Sequence, residues 1–265
     1  MSITLKRIEH QLMLNKAVRV LLLPIAFIWI CVLSSVQRIE AVESHGVTLQ
    51  ILKEEPLDNL TAGKYRMRAT EITIPSGFSF EELTHDGQGM AYMFSGALAS
   101  KENGQSKSYT AGQGMHATPQ DDRRYKNQGE GAVKMVVFEV LPTSHATADG
   151  GQAMKGAATR IVLEREIMLV DGKNKMILVH GKIARAGFAR EHTHRGSEMR
   201  VLLSGSLTMT MHKNKEVYKE GEYFFEPADT HMMKVEGDKN ADTDFIIFEV
   251  GAKQEIDSIY HSDTR

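Results

Sequence analysis

The chain has 265 residues, 42% of them hydrophobic, and a formal net charge of −2 at neutral pH. That length suits one large domain or two small ones, and the balanced charge excludes a charge-driven nucleic-acid or acidic-lipid surface as the main partner. A single cysteine, Cys31, excludes an internal disulfide and a thiolate metal cluster.

The N-terminus reads as a separate object. Lys6, Arg7, Lys16 and Arg19 precede an uninterrupted apolar run from Val20 to Val36. A charged region followed by a hydrophobic one is the pattern of an export signal. The run is slightly short of the roughly 20 residues that a spanning helix needs. Two outcomes follow from residues 1–44: a cleaved signal peptide ending at Ala41, or an uncleaved anchor with its positive end inside. Either predicts an extracytoplasmic protein, periplasmic or secreted, touching a membrane only through residues 20–36 if uncleaved.

The remainder reads twice. Gly77-Phe78 is answered by Gly187-Phe188, Ser95-Gly96-Ala97-Leu98 by Ser204-Gly205-Ser206-Leu207, and Phe138-Glu139-Val140 by Phe248-Glu249-Val250, each 109 or 110 residues later. A repeat this long marks a duplicated domain, because solenoid units run about 20–50 residues. The predicted halves are 45–143 and 157–265, joined by small and polar residues from Pro142 to Gln152. Within each half, short alternating runs are broken by turn signals, as where Leu207, Met209 and Met211 alternate with threonines. Sustained helical periodicity is absent after residue 44. The expected class is all-β, as two tandem barrels behind the N-terminal signal or anchor helix.

The second half carries the chemistry. Gly187-Phe-Ala-Arg-Glu-His192-Thr-His194-Arg-Gly-Ser-Glu198 is closed by Gly205, and Gly221-Glu-Tyr-Phe-Phe-Glu-Pro227-Ala-Asp-Thr-His231 follows. Imidazole nitrogens and carboxylate oxygens are the donors that borderline divalent metals accept. On an extended strand, residues two apart share a face, so His192 and His194 can reach one ion together. These two segments resemble the paired motifs of the cupin family. The first has four residues between Gly187 and His192 where the family usually has five. In the second, Asp229 stands at a usual glycine, Val235 stands where an Asn is common, and His231 comes one residue early after Pro227.

The resemblance implies a jelly-roll barrel holding one metal through His192, His194, Glu198 and His231. Mn2+ or Fe2+ come first as the ion, with Ni2+ and Zn2+ also compatible. It further implies a small-molecule partner and reactions such as dioxygenation, decarboxylation or isomerisation. Glu198 is then a ligand able to act as base, Arg190 a partner for a substrate carboxylate, and Tyr223 and Phe225 the lining of one pocket face. A non-catalytic binding or sensor module is the alternative, and a homodimer is compatible with either.

The first half lacks this set. Alignment on Gly96 and Gly205 puts His85 opposite His194, but Leu83 opposite His192 and Gly89 opposite Glu198; alignment on Pro119 and Pro227 puts Arg123 opposite His231. One imidazole beside a fixed cation does not hold a divalent ion. The first half is therefore expected to be metal-free, either a structural partner or an anion pocket at Arg123 and Arg124. His116 is its one other candidate ligand.

Overall fold

The computed structural model describes residues 44–57, 59–81, 87–102, 104–117, 124–144, 156–211 and 214–260. The basic and apolar N-terminal run, most of the linker, and Leu83, His85 and Arg123 lie outside the described residues. In the first half the strands are β1 (Ser44–Pro56), β2 (Gly63–Ile74), β3 (Ser79–Phe80), β4 (Gln88–Ser95), β5 (Ala97–Glu102), β6 (Gln105–Thr110), β7 (Gly114–His116), β8 (Arg124–Asn127) and β9 (Val133–Pro142). The second half has β10 (Ala158–Leu169), β11 (Asn174–Ala189), β12 (His192–Thr193), β13 (Ser197–Ser204), β14 (Ser206–Met211), β15 (Asn214–Lys219), β16 (Tyr223–Glu226), β17 (His231–Met232), β18 (Lys234–Glu236) and β19 (Thr243–Ala252). Among the described residues one helix, α1 (Lys253–Tyr260), follows, and no helix is long and apolar enough to cross a membrane. The protein is all-β, as its alternating runs predict.

Second-half strands close into a nearly complete barrel, in the order β15-β14-β18-β11-β19-β13-β16, with the short β12–β17 pair beside it. First-half strands form the sheet β3-β8-β5-β6 and, with β10 of the second half, the sheet β10-β2-β9-β4-β7. The halves exchange strands. β1 runs antiparallel to β11 from Ser44↔Ala189 to Pro56↔Lys175, and β10 runs antiparallel to β2 from Ala158↔Thr73 to Leu169↔Gly63. Each half thus receives its leading strand from the other, which covers an edge that would otherwise expose unpaired backbone groups.

Alternation along the strands builds three apolar clusters. Ile72, Met93, Met115 and Met135 fill the first half, while Val179, Leu207, Met209, Phe224 and Phe245 fill the C-terminal barrel. The opposite faces of the same strands meet between the halves, where Met67, Phe138 and Val140 pack with Met199, Val201 and Phe248. Phe138 and Phe248, the answering aromatics of the repeat, stack there with ring centroids 5.2 Å apart and planes inclined by 11°.

Candidate metal centre

β13 presents Glu198, Arg200 and Leu202 to the barrel interior and Met199 and Val201 to the other half, as period-two alternation requires. Its neighbours place Glu226 of β16 and Glu249 of β19 directly opposite Glu198. Three buried glutamates therefore lie side by side on one inner face. Gly196 N donates to Glu249 Oε1 at 3.1 Å, and no side chain larger than hydrogen fits there, since a Cβ would meet that oxygen at 2.6 Å.

His194 turns both ring nitrogens to carboxylates: Nδ1 lies 2.6 Å from Glu198 Oε1 and Nε2 lies 3.1 Å from Glu226 Oε2. Arg200, also buried, takes Glu198 Oε2 through Nη2 at 2.5 Å and Nε at 2.8 Å, and its Nε is 3.3 Å from Glu226 Oε1. Its guanidinium lies within 6 Å of the Phe224 and Phe245 ring centroids, at 5.9 and 5.8 Å. His192 Nε2 is 3.2 Å from His194 Nε2. His192 Nδ1 is 2.6 Å from the Arg190 carbonyl oxygen. A carbonyl only accepts, so Nδ1 carries the proton and Nε2 keeps its lone pair toward the interior, the arrangement a metal-binding imidazole needs.

The expected ligands separate into two groups. His194 and Glu198 come together and His192 touches the pair through His194, whereas His231 points elsewhere. Thr193 pairs with His231 and His192 with Met232, and directly paired residues share a face. Fully buried Met232 therefore takes the inner position, while His231 pairs through Nε2 with Glu191 Oε1 at 2.9 Å. Asp229 is left-handed in the turn after Pro227, at φ 60, and on the strand that follows a shift of one residue reverses the face a side chain takes.

Three further corrections follow from the placement. The Arg190 side chain is exposed, and its carbonyl is what serves the site. Tyr223 and Phe225 do share a face, but it packs toward the other half, with Tyr223 Oη donating to Glu71 Oε1 at 3.1 Å. The inner residues of β16 are Phe224 and Glu226. His116, register partner of Met90 in the cluster between the halves, faces Glu55 at 3.3 Å rather than the first-half interior. Sequence reading missed Arg200 and Glu226. Arg200 is two residues from Glu198 and so on its face, which is the signal that could have found it.

Burial pushes the Glu198 carboxyl up, but Arg200 and His194 outweigh it and hold it down at about 2. Glu226 is raised, because burial and the charge of Glu198 exceed the pull of Arg200 and His194. His194 is raised by the two glutamates against its own burial. His192 is lowered to about 4 by burial and by His194. A histidine depressed on folding binds fewer protons folded than unfolded between its ordinary value of 6.5 and 4, so its stabilising effect is lost as pH falls through that window. His192→Gln is expected to flatten the fall in metal-free stability between pH 6.5 and 4, by at most about 3 kcal/mol, in urea titrations across that range.

The residues fit a divalent cation. One donor atom from each of His194, Glu198 and Glu226 lies within 4.8 Å of the others. Glu198 Oε1 and both oxygens of Glu226 are buried, and their polar neighbours are the ion-pair partners His194 and Arg200. The matching first-half positions carry no such donors: Gly89, Ala91 and Ala117 occupy the register places of Glu198, Arg200 and Glu226. A Cβ on Gly89 would meet the Phe138 carbonyl oxygen at 2.3 Å, so no ligand side chain fits there.

Residues 179–248 match the family model described as the cupin domain. No curated protein matches the chain. Among solved structures, salicylate 1,2-dioxygenase from Pseudaminobacter salicylatoxidans is similar with a TM-score of 0.50 and 10% identity, over 72% of this chain and 72% of that one. AerE from Microcystis aeruginosa gives 0.49 and 14% over 80% and 98%, and oxalate decarboxylase from Bacillus subtilis gives 0.45 and 14% over 80% and 74%.

Proposed function

We propose that this chain, whose residues 179–248 match the cupin domain model, is a bicupin whose C-terminal barrel holds one divalent transition metal and acts on a small oxygen-bearing molecule. The observation that carries the reading is the convergence of His194, Glu198 and Glu226 donor atoms inside the barrel, with His192 Nε2 turned toward them. His192, His194, Glu198 and Glu226 would hold the ion. Mn2+ and Fe2+ suit a set with two carboxylates, and Ni2+ or Zn2+ tolerate it. When bound, the metal supplies Lewis-acid polarisation of a substrate oxygen, in dioxygenase-, decarboxylase- or isomerase-like chemistry.

The protein's own groups orient and shield. The Arg190 carbonyl fixes the His192 ring, and Arg200 fixes the outer oxygens of Glu198 and Glu226. Phe224 and Phe245 lie against the Arg200 guanidinium and belong, with Met232 and Val235, to the apolar cluster of the barrel, which limits water. Glu198 serves as ligand rather than base, since Arg200 and His194 face both its oxygens. We also propose that the basic and apolar N-terminal run sends the protein out of the cytoplasm.

A non-catalytic binding module is favoured by one observation, the guanidinium already seated between the two carboxylates. Metal analysis and a substrate panel separate the readings. Purified protein is expected to carry about one ion per chain, His194→Ala to lose it, and His231→Ala to retain it. Oxygen uptake with catechol- and flavonol-type compounds, and carbon dioxide release from small diacids, then test turnover. Metal without turnover across the panel favours the binding module; stoichiometric metal in His194→Ala contradicts the site.

A further inference from the structure

Resting on the metal reading above, we infer that Arg200 and Glu226 act as a matched pair that replaces the third imidazole of the site. The inner position of β17 belongs to Met232, and His231 faces Glu191. A set left with two imidazoles and one carboxylate would be short of a donor. Glu226 supplies that donor from the next strand, in direct register with Glu198. It also brings a negative charge that an imidazole would not.

Arg200 cancels that added charge. One carboxylate and one guanidinium together carry the same formal charge, zero, as the neutral imidazole they replace, so the exchange leaves the charge of the cluster, Glu249 included, unchanged. The guanidinium takes the outer oxygens, Glu198 Oε2 and Glu226 Oε1, and leaves Glu198 Oε1 and Glu226 Oε2 facing His194. Arg200 Nη2 also lies 3.2 Å from His194 Nε2, so the guanidinium touches every member of the cluster, and we assign it the part of a positioning residue that stays on the outer oxygens when the ion is bound. The phenyl rings of Phe224 and Phe245 hold it there.

The duplicated half supports reading the pair as one unit. Where Glu198 is replaced by Gly89, Arg200 is replaced by Ala91 and Glu226 by Ala117, so all three are present in one half and absent from the other. An arginine kept merely to fill the barrel would have no reason to come and go with the carboxylates.

The test is a double-mutant cycle read by Mn2+ binding and by the Mn2+-induced rise in Tm, using the full chain. Glu226→Gln leaves Arg200 in excess and is expected to weaken Mn2+ binding by about 10- to 100-fold. Arg200→Gln leaves two carboxylates close together, so its metal-free Tm falls while its Mn2+-induced rise in Tm exceeds that of wild type. The double variant carries a balanced site, and removing both partners of a buried pair is tolerated better than removing one. It is expected to bind Mn2+ at least about tenfold more tightly than Glu226→Gln alone. Arg200→Lys, which keeps the charge, is expected to stay near wild-type affinity and remains informative if Arg200→Gln does not fold. Additive effects, with the double variant no better than Glu226→Gln, or equal Tm rises in Arg200→Gln and wild type, overturn the pairing. Wild-type protein that takes up none of Mn2+, Fe2+, Ni2+ or Zn2+ overturns the metal reading itself and the pairing with it.

Discussion

Glu198→Gln is expected to abolish stoichiometric metal binding and to cost about 3 kcal/mol of metal-free stability at pH 7. Glu198 is fully buried, with Arg200 on one oxygen and His194 on the other. Glutamine keeps the shape and one acceptor but removes the charge, so Arg200 is left with Glu226 as its anionic contact within the cluster. The sign with pH is fixed by the carboxyl being held down at about 2 from an ordinary 4.5. Its stabilising effect is fully present above 4.5 and is lost as pH falls toward 2. The stability gap between wild type and Glu198→Gln, measured by urea unfolding, should therefore be wide at pH 7 and close by about pH 2. A gap that is unchanged between pH 7 and pH 3 would show that the carboxylate does not hold the cluster together.

Phe248→Ala is expected to lower stability by about 3–5 kcal/mol while leaving metal content unchanged. Its ring is fully buried and stacks on Phe138 of the other half. Neighbouring side chains on flat strands cannot collapse into the space, because β19 is hydrogen-bonded on both sides, to β11 and β13. Removing one ring strands the other against a cavity, so Phe138→Ala should cost a similar amount and the two losses should not add. Unfolding monitored with both single variants and the double variant checks this. Losses that add fully would show that the two rings are not the joint between the halves.

Much of the fold lay open in the residues. Leu207 and Met209 alternate with threonines and are the buried positions of β14. Phe138 and Phe248 answer each other in the sequence and meet in space. What the pattern did not carry is the exchange of β1 and β10. Both strands mix half-exposed and polar positions along their length, and neither states which sheet it joins.

The site was legible by type and only partly by direction. Period-two spacing put His192 beside His194 and put Tyr223 on the face of Phe225. Whether a face looks into the barrel or toward the other half depends on what lies behind it, which Tyr223 and Phe225 show by packing outward. His231 was read from its residue type, while its face is set by the register of β17 against β12. Nothing in the residue pattern alone marks Arg200 and Glu226 as interior, because charged side chains are seldom fully buried unless paired. Only the register of β13 against β16 reveals that each is the other's partner inside the barrel.

The central claim is tested most directly by a crystal structure of the Mn2+-loaded protein with anomalous data at the manganese edge. The account predicts one peak in the C-terminal barrel, coordinated by His192 Nε2, a His194 nitrogen, and oxygens of Glu198 and Glu226, with Arg200 still on the outer carboxylate oxygens. A peak bound instead by His231, or a barrel in which Arg200 keeps both glutamates and no manganese enters, would contradict it.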